Sequence, residues 1–154
     1  MTLRNATLDD ASAISRFVTD LATEHIAPSL TDNGLSHLLA SMNLESTQAR
    51  IEDGWLHILQ ISDRDILGLI VVKPPAHLYH LFVDTPAQRS GVGRRLFRVA
   101  DERTLRDNGI RIETVNSSLN AIDAYRRLGF VTSGAVVDVE GVRFQPMIRD
   151  SGEQ

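Results

Sequence analysis

The residues best suited to chemistry stand in one short segment, Gln88-Arg89-Ser90-Gly91-Val92-Gly93. Its glycines separate a predicted strand from a predicted helix, and a helix begins with free N–H groups and a partial positive charge. Glycines let this backbone approach a ligand closely, and phosphate is the group that such helix starts bind. Arg89, Arg94 and Arg95 add full positive charges. The segment therefore predicts a site for a pyrophosphate or a phosphorylated cofactor.

A pair of glycines with this spacing is also typical of a plain strand-to-helix turn, so it does not define the ligand by itself. The segment lacks the lysine that closes a phosphate-binding P-loop, which argues against nucleotide hydrolysis. It also lacks the third glycine and the downstream acidic residue of a dinucleotide site. The choice among phosphorylated ligands therefore depends on the surrounding elements.

The spacing of apolar residues predicts those elements. We expect strands over residues 2–6, 55–61, 66–72, 77–83, 110–115, 131–139 and 142–148, and helices over 9–28, 35–42 (with a continuation to about 51), 91–108 and 119–128. The order β-α-α-β-β-β-α-β-α-β-β predicts a mixed sheet with helices on its faces, which is an α/β or α+β fold. Three consecutive strands in the middle exclude the alternating order of a Rossmann fold.

The composition indicates one soluble globular domain over residues 1–150 and a short tail over 151–154. Apolar residues make up 42% of the chain and charged residues 23%, which argues against disorder. The apolar runs are too short to span a bilayer and no signal-peptide pattern is present, so we expect a cytoplasmic protein without membrane contact. The absence of cysteine excludes disulfides, and the histidines lack metal-binding spacing, so we expect no metal.

The charge distribution points to the same segment. The net charge of −4 argues against a general nucleic-acid binder, and we expect no nucleic-acid partner. Between Gln88 and Arg111, however, there are seven arginines and only three acidic residues. Such runs are usually solvated helix faces. The position of this one, directly after the glycine turn, favours contact with an anionic ligand.

Two sequence blocks together resemble the GCN5-related N-acetyltransferase (GNAT) family. Leu81-Phe82-Val83, followed by Gln88 to Gly93 and Arg94-Arg95-Leu96, is similar to the family's acyl-CoA signature Gln/Arg-x-x-Gly-x-Gly/Ala. Asn120-Ala121 and Tyr125-Arg126-Arg127-Leu128-Gly129-Phe130 resemble, in shortened form, its Asn-x-x-Ala-x-x-x-Tyr-x-x-x-Gly-Phe block. The resemblance covers nearly the whole chain. It implies the GNAT fold, acetyl-CoA as co-substrate and acetyl transfer to an amine.

The resemblance also implies how the cofactor is held. Backbone N–H groups of the glycine turn would bind the phosphates, and the preceding strand would pair with the pantetheine arm, with the N–H of Phe82 or Val83 polarising the thioester carbonyl. Asn120 and Asn116 would bond the pantetheine amides, although Asn116 is equally suited to cap a helix. Arg89 departs from the family, because many members have glycine there. The residues so assigned are Leu81, Phe82, Val83, Gln88, Arg89, Ser90, Gly91, Val92, Gly93, Arg94, Asn116, Asn120 and Tyr125.

Direct attack of an amine on a thioester needs a proton donor for the thiolate and an acceptor for the amine proton. The resemblance makes Tyr125 the expected donor; the alternative is core packing with a solvated hydroxyl. His80 is a candidate base or water relay that would titrate near neutral pH, although a lone strand histidine is often structural. Strand alternation predicts that His80 shares a face with Leu78 and Phe82.

The acceptor amine and its binding site are less defined. Glu24 and His25, at the end of the first predicted helix, are candidates for amine recognition. The segment Phe144-Gln145-Pro146-Met147 fits either the edge of a homodimer or the substrate cleft. Two functions stay open: an N-acetyltransferase that acts on a small-molecule or peptide amine, and a catalytically inactive module of the same fold that binds or senses acyl-CoA.

Overall fold

The computed structural model describes residues 2–150 and shows one mixed β-sheet with helices on both of its faces. The expected tail, 151–154, lies outside the described residues. The strands are β1 (Thr2–Asn5), β2 (Leu56–Ser62), β3 (Asp65–Lys73), β4 (His77–Val83), β5 (Thr114–Ser118), β6 (Phe130–Thr132), β7 (Val137–Val139) and β8 (Val142–Arg149). The helices are α1 (Ala11–His25), α2 (Asp32–Ser41), α3 (Leu44–Glu52), α4 (Val92–Asn108) and α5 (Ile122–Arg127).

The strands lie in the order β1-β2-β3-β4-β5-β8-β6, and β7 pairs with β8. Within the described residues, every pairing is antiparallel except that of β4 with β5. A parallel pair needs a crossover connection, and α4 supplies it. The predicted mixed α/β fold is confirmed.

The sheet separates two apolar cores. On one face, α4 and α5 cover a cluster in which Leu96, Ala100 and Phe130 are fully buried. On the other face, α1, α2 and α3 cover a second cluster that includes Ile14 and Leu69. Each core forms because a helix with apolar residues at three- and four-residue spacings meets the apolar face of the sheet. The predicted periodicity thus corresponds to the observed packing.

The second predicted helix is wrong in its bounds, because the structure has two helices there. Thr31 caps α2 by accepting the N–H of Gly34 at 3.0 Å, so the expected turn at 32–34 is the first turn of the helix. The predicted continuation to about residue 51 is broken at Asn43. The side chain of Asn43 accepts the N–H of Ser46 at 2.8 Å and thereby begins α3 as a separate helix.

The C-terminal elements also differ from the prediction. The strand expected over 110–115 begins only at Thr114, because the preceding residues bind other groups: Ile112 donates its N–H to a carboxylate of α4 at 2.9 Å. The strand expected over 131–139 is interrupted at Gly134, whose φ of 77° is left-handed. The region therefore forms two short strands, β6 and β7, which both pair with β8.

A buried ion pair ties α4 to β8. Asp101 is only 4% exposed, and its carboxylate accepts two parallel hydrogen bonds from Arg149 at 3.1 and 3.0 Å. Arg111 donates to it at 2.9 Å, and so does the N–H of Ile112. Burial opposes the ionisation of Asp101, but these donors outweigh burial and lower its pKa. The carboxylate of Asp101 therefore joins α4, the loop after α4 and β8.

Replacing Asp101 by Asn should lower the free energy of unfolding by about 3 kcal/mol, because Arg149 loses its anion in a largely buried position. For a chain of this size, that corresponds to a fall of roughly 6–12 °C in the midpoint of thermal unfolding. Since the pKa of Asp101 is lowered by folding, its contribution is complete above the ordinary value of 3.8 and is lost as pH falls through the folded value. The difference between wild type and variant should therefore shrink in acid.

The matched control is Asp107→Asn, which removes an exposed ion pair with Arg106 on the same helix. Exposed pairs contribute little to stability, so this variant should unfold near the wild-type midpoint. Equal midpoints for wild type and Asp101→Asn at neutral pH would contradict the assigned role of the buried pair.

Candidate functional site

The site begins where β4 and β5 separate. The two strands are paired only at His77 with Thr114 and at Leu78 with Val115. Beyond these residues β4 continues against β3, while β5 continues against β8. A groove therefore opens in the middle of the sheet, with main chain on both of its walls.

A bulge in β4 changes which side chains face each core. Val71 pairs with His80 and Val72 pairs with Leu78, so Tyr79 is an extra residue between them. Tyr79 and His80 lie side by side, with ring centroids 4.4 Å apart, and His80 also meets Phe82 at 5.3 Å. His80 therefore shares a face of the sheet with Phe82, as predicted. The prediction is wrong for Leu78, which lies on the other face and is buried in the core beneath α4.

The hydrogen-bond ladder determines which main-chain groups face the groove. The N–H of Asp84 donates to the carbonyl of Leu67 at 2.8 Å, just beyond the last β3–β4 pair. Because an antiparallel ladder alternates, Phe82 directs its N–H and C=O toward β3, whereas Leu81 and Val83 direct theirs toward the groove. The Val83 carbonyl accordingly accepts Gln88 Nε2 at 3.0 Å. The expected Phe82 N–H is therefore turned away, and those of Leu81 and Val83 are available.

The glycine segment leads from the end of β4 into the start of α4. Gly91 has a φ of 89° and Arg89 a φ of 66°, both left-handed. This explains why a glycine suits position 89; the arginine adopts the same conformation at a modest energetic cost. No side chain among residues 2–150 caps α4, and the first internal bond of the helix runs from Arg95 N–H to Gly91 O at 3.0 Å. The N–H groups of the first turn are therefore free to bind an anion.

Positive charge surrounds this helix start. The side chains of Arg89, Arg94, Arg95 and Arg98 are exposed, and within residues 2–150 none of them forms an ion pair. Unpaired guanidinium groups near free helix N–H groups attract phosphate oxygens. The start of α4 thus combines free N–H groups with unpaired positive charge, and phosphate binding there stays a prediction.

Gly68 holds α4 close to the sheet, a role that the sequence did not indicate. A β-carbon at this position would lie 2.7 Å from Leu96 Cδ1 and 2.9 Å from Val92 Cγ1. Any larger residue at position 68 would therefore have to displace these side chains, and glycine lets the first turns of α4 rest closely on β3. The sole sequence signal was a glycine within an otherwise apolar strand, which is typical of a close approach.

The groove widens into a cavity of about 460 Å³. It brings together five of the predicted site residues: His80, Leu81, Phe82, Asn116 and Tyr125. The other predicted residues lie outside its walls. They are Val83, Asn120, Glu24, His25 and the segment from Gln88 to Arg94.

Tyr125 contributes a protonated phenol to the cavity wall. It lies on α5 and packs edge-on against Phe130, with ring centroids 6.1 Å apart. Burial raises the pKa of Tyr125 to about 12. The hydroxyl therefore keeps its proton throughout the neutral range and is a potential donor.

The pKa of His80 is shifted in the opposite direction. Burial, with smaller contributions from Arg50 and His57, lowers the pKa of His80 to about 3. The expectation that His80 titrates near neutral pH is therefore wrong, and the ring is neutral. Among residues 2–150, its Nε2 atom finds no hydrogen-bond partner.

A polar network spans the groove at the end of α1. Asn120 donates from Nδ2 to the carbonyl of His25 at 2.9 Å, and Ser118 donates to Asn120 Oδ1 at 2.7 Å. On the opposite side, Thr85 donates to Glu24 Oε1 at 3.2 Å and lies 3.1 Å from His25 Nε2. Glu24 and His25 therefore link the residues that follow β4 to those that follow β5. Asn116 lies within β5, so it does not cap α5.

The comparison with known proteins decides the family. A family model of the acetyltransferase (GNAT) domain matches residues 26–151. This chain belongs to the GNAT acetyltransferase family. Among the curated proteins compared, none matches the chain.

Solved GNAT structures share the fold along nearly the whole chain. A GCN5-related N-acetyltransferase from Rhodopseudomonas palustris is 19% identical, with a TM-score of 0.79, and the match covers 97% of this chain and 94% of that one. A PaiA N-acetyltransferase from Thermoplasma acidophilum, in complex with coenzyme A, is 13% identical, with a TM-score of 0.74 and coverage of 96% and 98%. A ribosomal-protein-alanine N-acetyltransferase from Brucella melitensis is 18% identical, with a TM-score of 0.66 and coverage of 97% and 99%.

No sequence motif singled out the individual residues in the rest of this GNAT cavity. Its far wall is formed by α2 and the β7–β8 hairpin, with His37, Met42, Glu140 and Arg143 among the lining residues. Phe144 also lines the cavity, as the cleft alternative expected, while its neighbour Met147 is buried in the core. These residues are far apart in sequence and match no motif, so no local signal could have grouped them.

Two further classes of site receive no support. In the part of the chain that the structure describes, no three histidine, aspartate or glutamate side chains are grouped as a metal site requires. None of the described helices is long and apolar enough to cross a membrane.

The environment of His80 can be checked by nuclear magnetic resonance. Its ring-proton shifts should stay constant between about pH 5 and about pH 9, because its pKa lies far below the ordinary histidine value of about 6.5. The His80→Gln spectrum identifies the signal by its absence. A titration midpoint near the ordinary value would show that the ring is solvated rather than buried.

Proposed function

We propose that this GNAT chain transfers an acetyl group from acetyl-CoA to a primary amine by direct attack within a ternary complex. One observation carries the proposal: β4 and β5 separate into a groove that has the main chain of Leu81 and the protonated phenol of Tyr125 in its walls, and the chain leads from the end of β4 to the free start of α4. Family membership supports acetyl transfer in general. The structurally similar protein from Thermoplasma acidophilum was solved with coenzyme A.

The phosphates of the co-substrate would bind at the start of α4. The N–H groups of Gly91, Val92, Gly93 and Arg94 supply hydrogen bonds, and Arg89 and Arg94 supply charge. Gln88 fixes the segment to the end of β4 through its bond to Val83, and Ser90, which donates to the carbonyl of Ala87, tightens the turn. The electrostatics fit a pyrophosphate without any metal ion.

The pantetheine arm would lie in the groove like an added strand. Its amides would pair with the main chain of Leu81 and Val83, and either N–H can polarise the thioester carbonyl. Phe82 would contribute by packing, because its main chain bonds to β3. Asn116 lines the cavity and Asn120 lies at its rim, so both can bond the arm, Asn120 by exchanging its bond to His25.

The reaction needs two proton movements. The amine nitrogen forms the C–N bond as the C–S bond breaks, and the thiolate takes a proton from Tyr125. The amine loses a proton to a base or to water. His80 is neutral and its Nε2 is buried without a partner in the described structure, so in this proposal it does not store the proton, and its role as a water relay stays a prediction.

Glu24 and His25 contact Thr85 and lie outside the cavity, so amine recognition by them stays a prediction. The formation of a homodimer also stays a prediction. No observation favours the inactive acyl-CoA-binding module over the enzyme, and the buried, protonated phenol of Tyr125 in the cavity wall supports the enzyme. The acceptor can be sought among small-molecule and peptide amines by following the release of free thiol from acetyl-CoA.

Gly91→Asp should abolish acetyl-CoA binding, because it places bulk and negative charge beside the phosphates. Binding is measured as the thermal shift that acetyl-CoA produces, and the variant should show none. Gly91→Asn separates the two causes, since it adds similar bulk without charge and should keep part of the shift.

The matched control for Gly91→Asp is Gly109→Asp. Gly109 has a φ of 75° at the other end of the same helix, and a β-carbon there meets nothing within 4 Å, as at Gly91. The two variants therefore carry the same kind of backbone strain. An acetyl-CoA shift in Gly91→Asp equal to that of Gly109→Asp would refute the phosphate site.

Tyr125→Phe should reduce kcat by about 100-fold, the usual loss when a general acid is removed. The dissociation constant for acetyl-CoA should stay nearly constant, because the ring still packs against Phe130. Tyr79→Phe removes the only other phenol of the chain, which accepts a bond from Arg50 at 2.8 Å, and should cost far less turnover. Unchanged turnover in Tyr125→Phe would eliminate its role as the acid.

A further inference from the structure

The cavity wall formed by α2 and the β7–β8 turn holds a further pair of titratable side chains. His37 on α2 and Glu140 in the β7–β8 turn both line the cavity, and His37 Nδ1 lies 3.3 Å from Glu140 Oε2. The two residues are distant in sequence and come from different elements. Their contact therefore depends on how the hairpin is docked against α2.

That docking is tight and specific. A β-carbon at Gly34 would overlap the carbonyl oxygen of Gly141, and one at Gly141 would lie 2.6 Å from Thr31 Oγ1. Asn33, one helical turn before His37, donates from Nδ2 to the carbonyl of Glu140 at 3.3 Å. The backbone of Glu140 is left-handed, with a φ of 53°. One face of α2 thus holds both the main chain and the side chain of Glu140.

The other titratable groups on the cavity wall are poor proton acceptors. Burial lowers the pKa of His77, and its Nδ1 lies 2.7 Å from Thr114 Oγ1. His80 has a pKa of about 3 and Tyr125 one of about 12. Tyr79 accepts a bond from Arg50, and the guanidinium group of Arg143 has hydrogen-bond donors but no acceptor. Among the titratable groups that line the cavity, the His37–Glu140 pair is therefore the best candidate for a proton acceptor.

We propose that His37, oriented by Glu140, takes the proton from the acceptor amine. The inference rests on the proposed acetyl transfer. Glu140 beside Nδ1 favours the tautomer that leaves the Nε2 lone pair free, and within the described residues no group bonds to Nε2. A carboxylate that orients an imidazole in this way is a recurrent arrangement for a general base.

The proton balance closes through this pair. The protonated amine gives one proton to His37 Nε2 and thereby becomes the nucleophile. As the C–N bond forms, the nitrogen loses its second proton to water, and Tyr125 gives its proton to the departing thiolate. Both side chains of the pair are partly exposed, 43% for His37 and 64% for Glu140, so the imidazolium releases its proton directly to water. Solvent then returns a proton to Tyr125, and the cavity regains its initial state.

The test compares two acceptors of the same size, butylamine and O-propylhydroxylamine. Butylamine is protonated at neutral pH and must lose a proton before it can attack, whereas the alkoxyamine is already neutral and does not need that first step. His37→Gln should lower kcat/KM for butylamine by about 100-fold and that for O-propylhydroxylamine only slightly. Glu140→Gln, which removes only the positioning carboxylate, should lower the butylamine value by about tenfold, and the double variant should be no worse than His37→Gln.

Three controls make the result specific. Added imidazole should restore butylamine turnover to His37→Ala, which a structural role would not produce. Acetyl-CoA should shift the unfolding midpoint of every variant as it does that of the wild type. Asp107→Asn, which removes an exposed carboxylate elsewhere, should have wild-type kinetics.

Equal losses with both acceptors, or no loss in His37→Gln, would overturn the inference while acetyl transfer by the wild type still stood. If the wild type binds acetyl-CoA yet releases no thiol with either acceptor or with the wider amine panel, the proposed function fails, and the assignment of His37 falls with it.

Discussion

The separation of β4 from β5 is the constraint on which the rest of the structure depends. Parallel strands normally stay paired along their length, but here the ladder ends after Leu78 and Val115. Two features hold the strands together up to that point and apart beyond it. The Asp101–Arg149 pair joins α4 to β8 near the end at which β4 and β5 are still paired. The bulge at Tyr79 changes the direction of β4 where the groove begins. The main-chain N–H and C=O groups that would otherwise form hydrogen bonds between the two strands thus become available to a ligand.

The two ends of the groove have different chemistry because they are built from different parts of the chain. At one end, a glycine loop and an uncapped helix offer N–H groups and arginines to an anion. At the other end, apolar side chains surround a few polar groups, and burial moves the pKa of His80 down and that of Tyr125 up. Both shifts favour the neutral form, as burial requires. The interior of the cavity therefore holds proton donors and acceptors without holding charge, and charge is confined to its rims.

The sequence was informative wherever local spacing determines structure. The strand, glycine turn and long helix around Gly91 were predicted within a residue or two, and Tyr125 lies in the cavity where its block placed it. Features that depend on distant contacts could not be read in this way. The extra residue at Tyr79 reverses strand alternation and has no signature of its own. His37 and Glu140 meet only because Gly34 and Gly141 allow α2 and the hairpin to touch. The boundary at Asn43 was missed because apolar periodicity continues across it, although its capping side chain was visible.

The groove also has a consequence for the behaviour of the chain in a crowded solution. Unpaired strand edges recruit the strands of other molecules and so promote aggregation. At its outer borders the sheet ends in β1 and β6, which are only four and three residues long. Its other unpaired main chain, along Leu81 and Val83, lies in the middle of the sheet, where α1 and the Asn120–His25–Thr85 contacts bridge the opening. The contacts across the opening thus hinder the strand of a neighbouring molecule from pairing with this main chain.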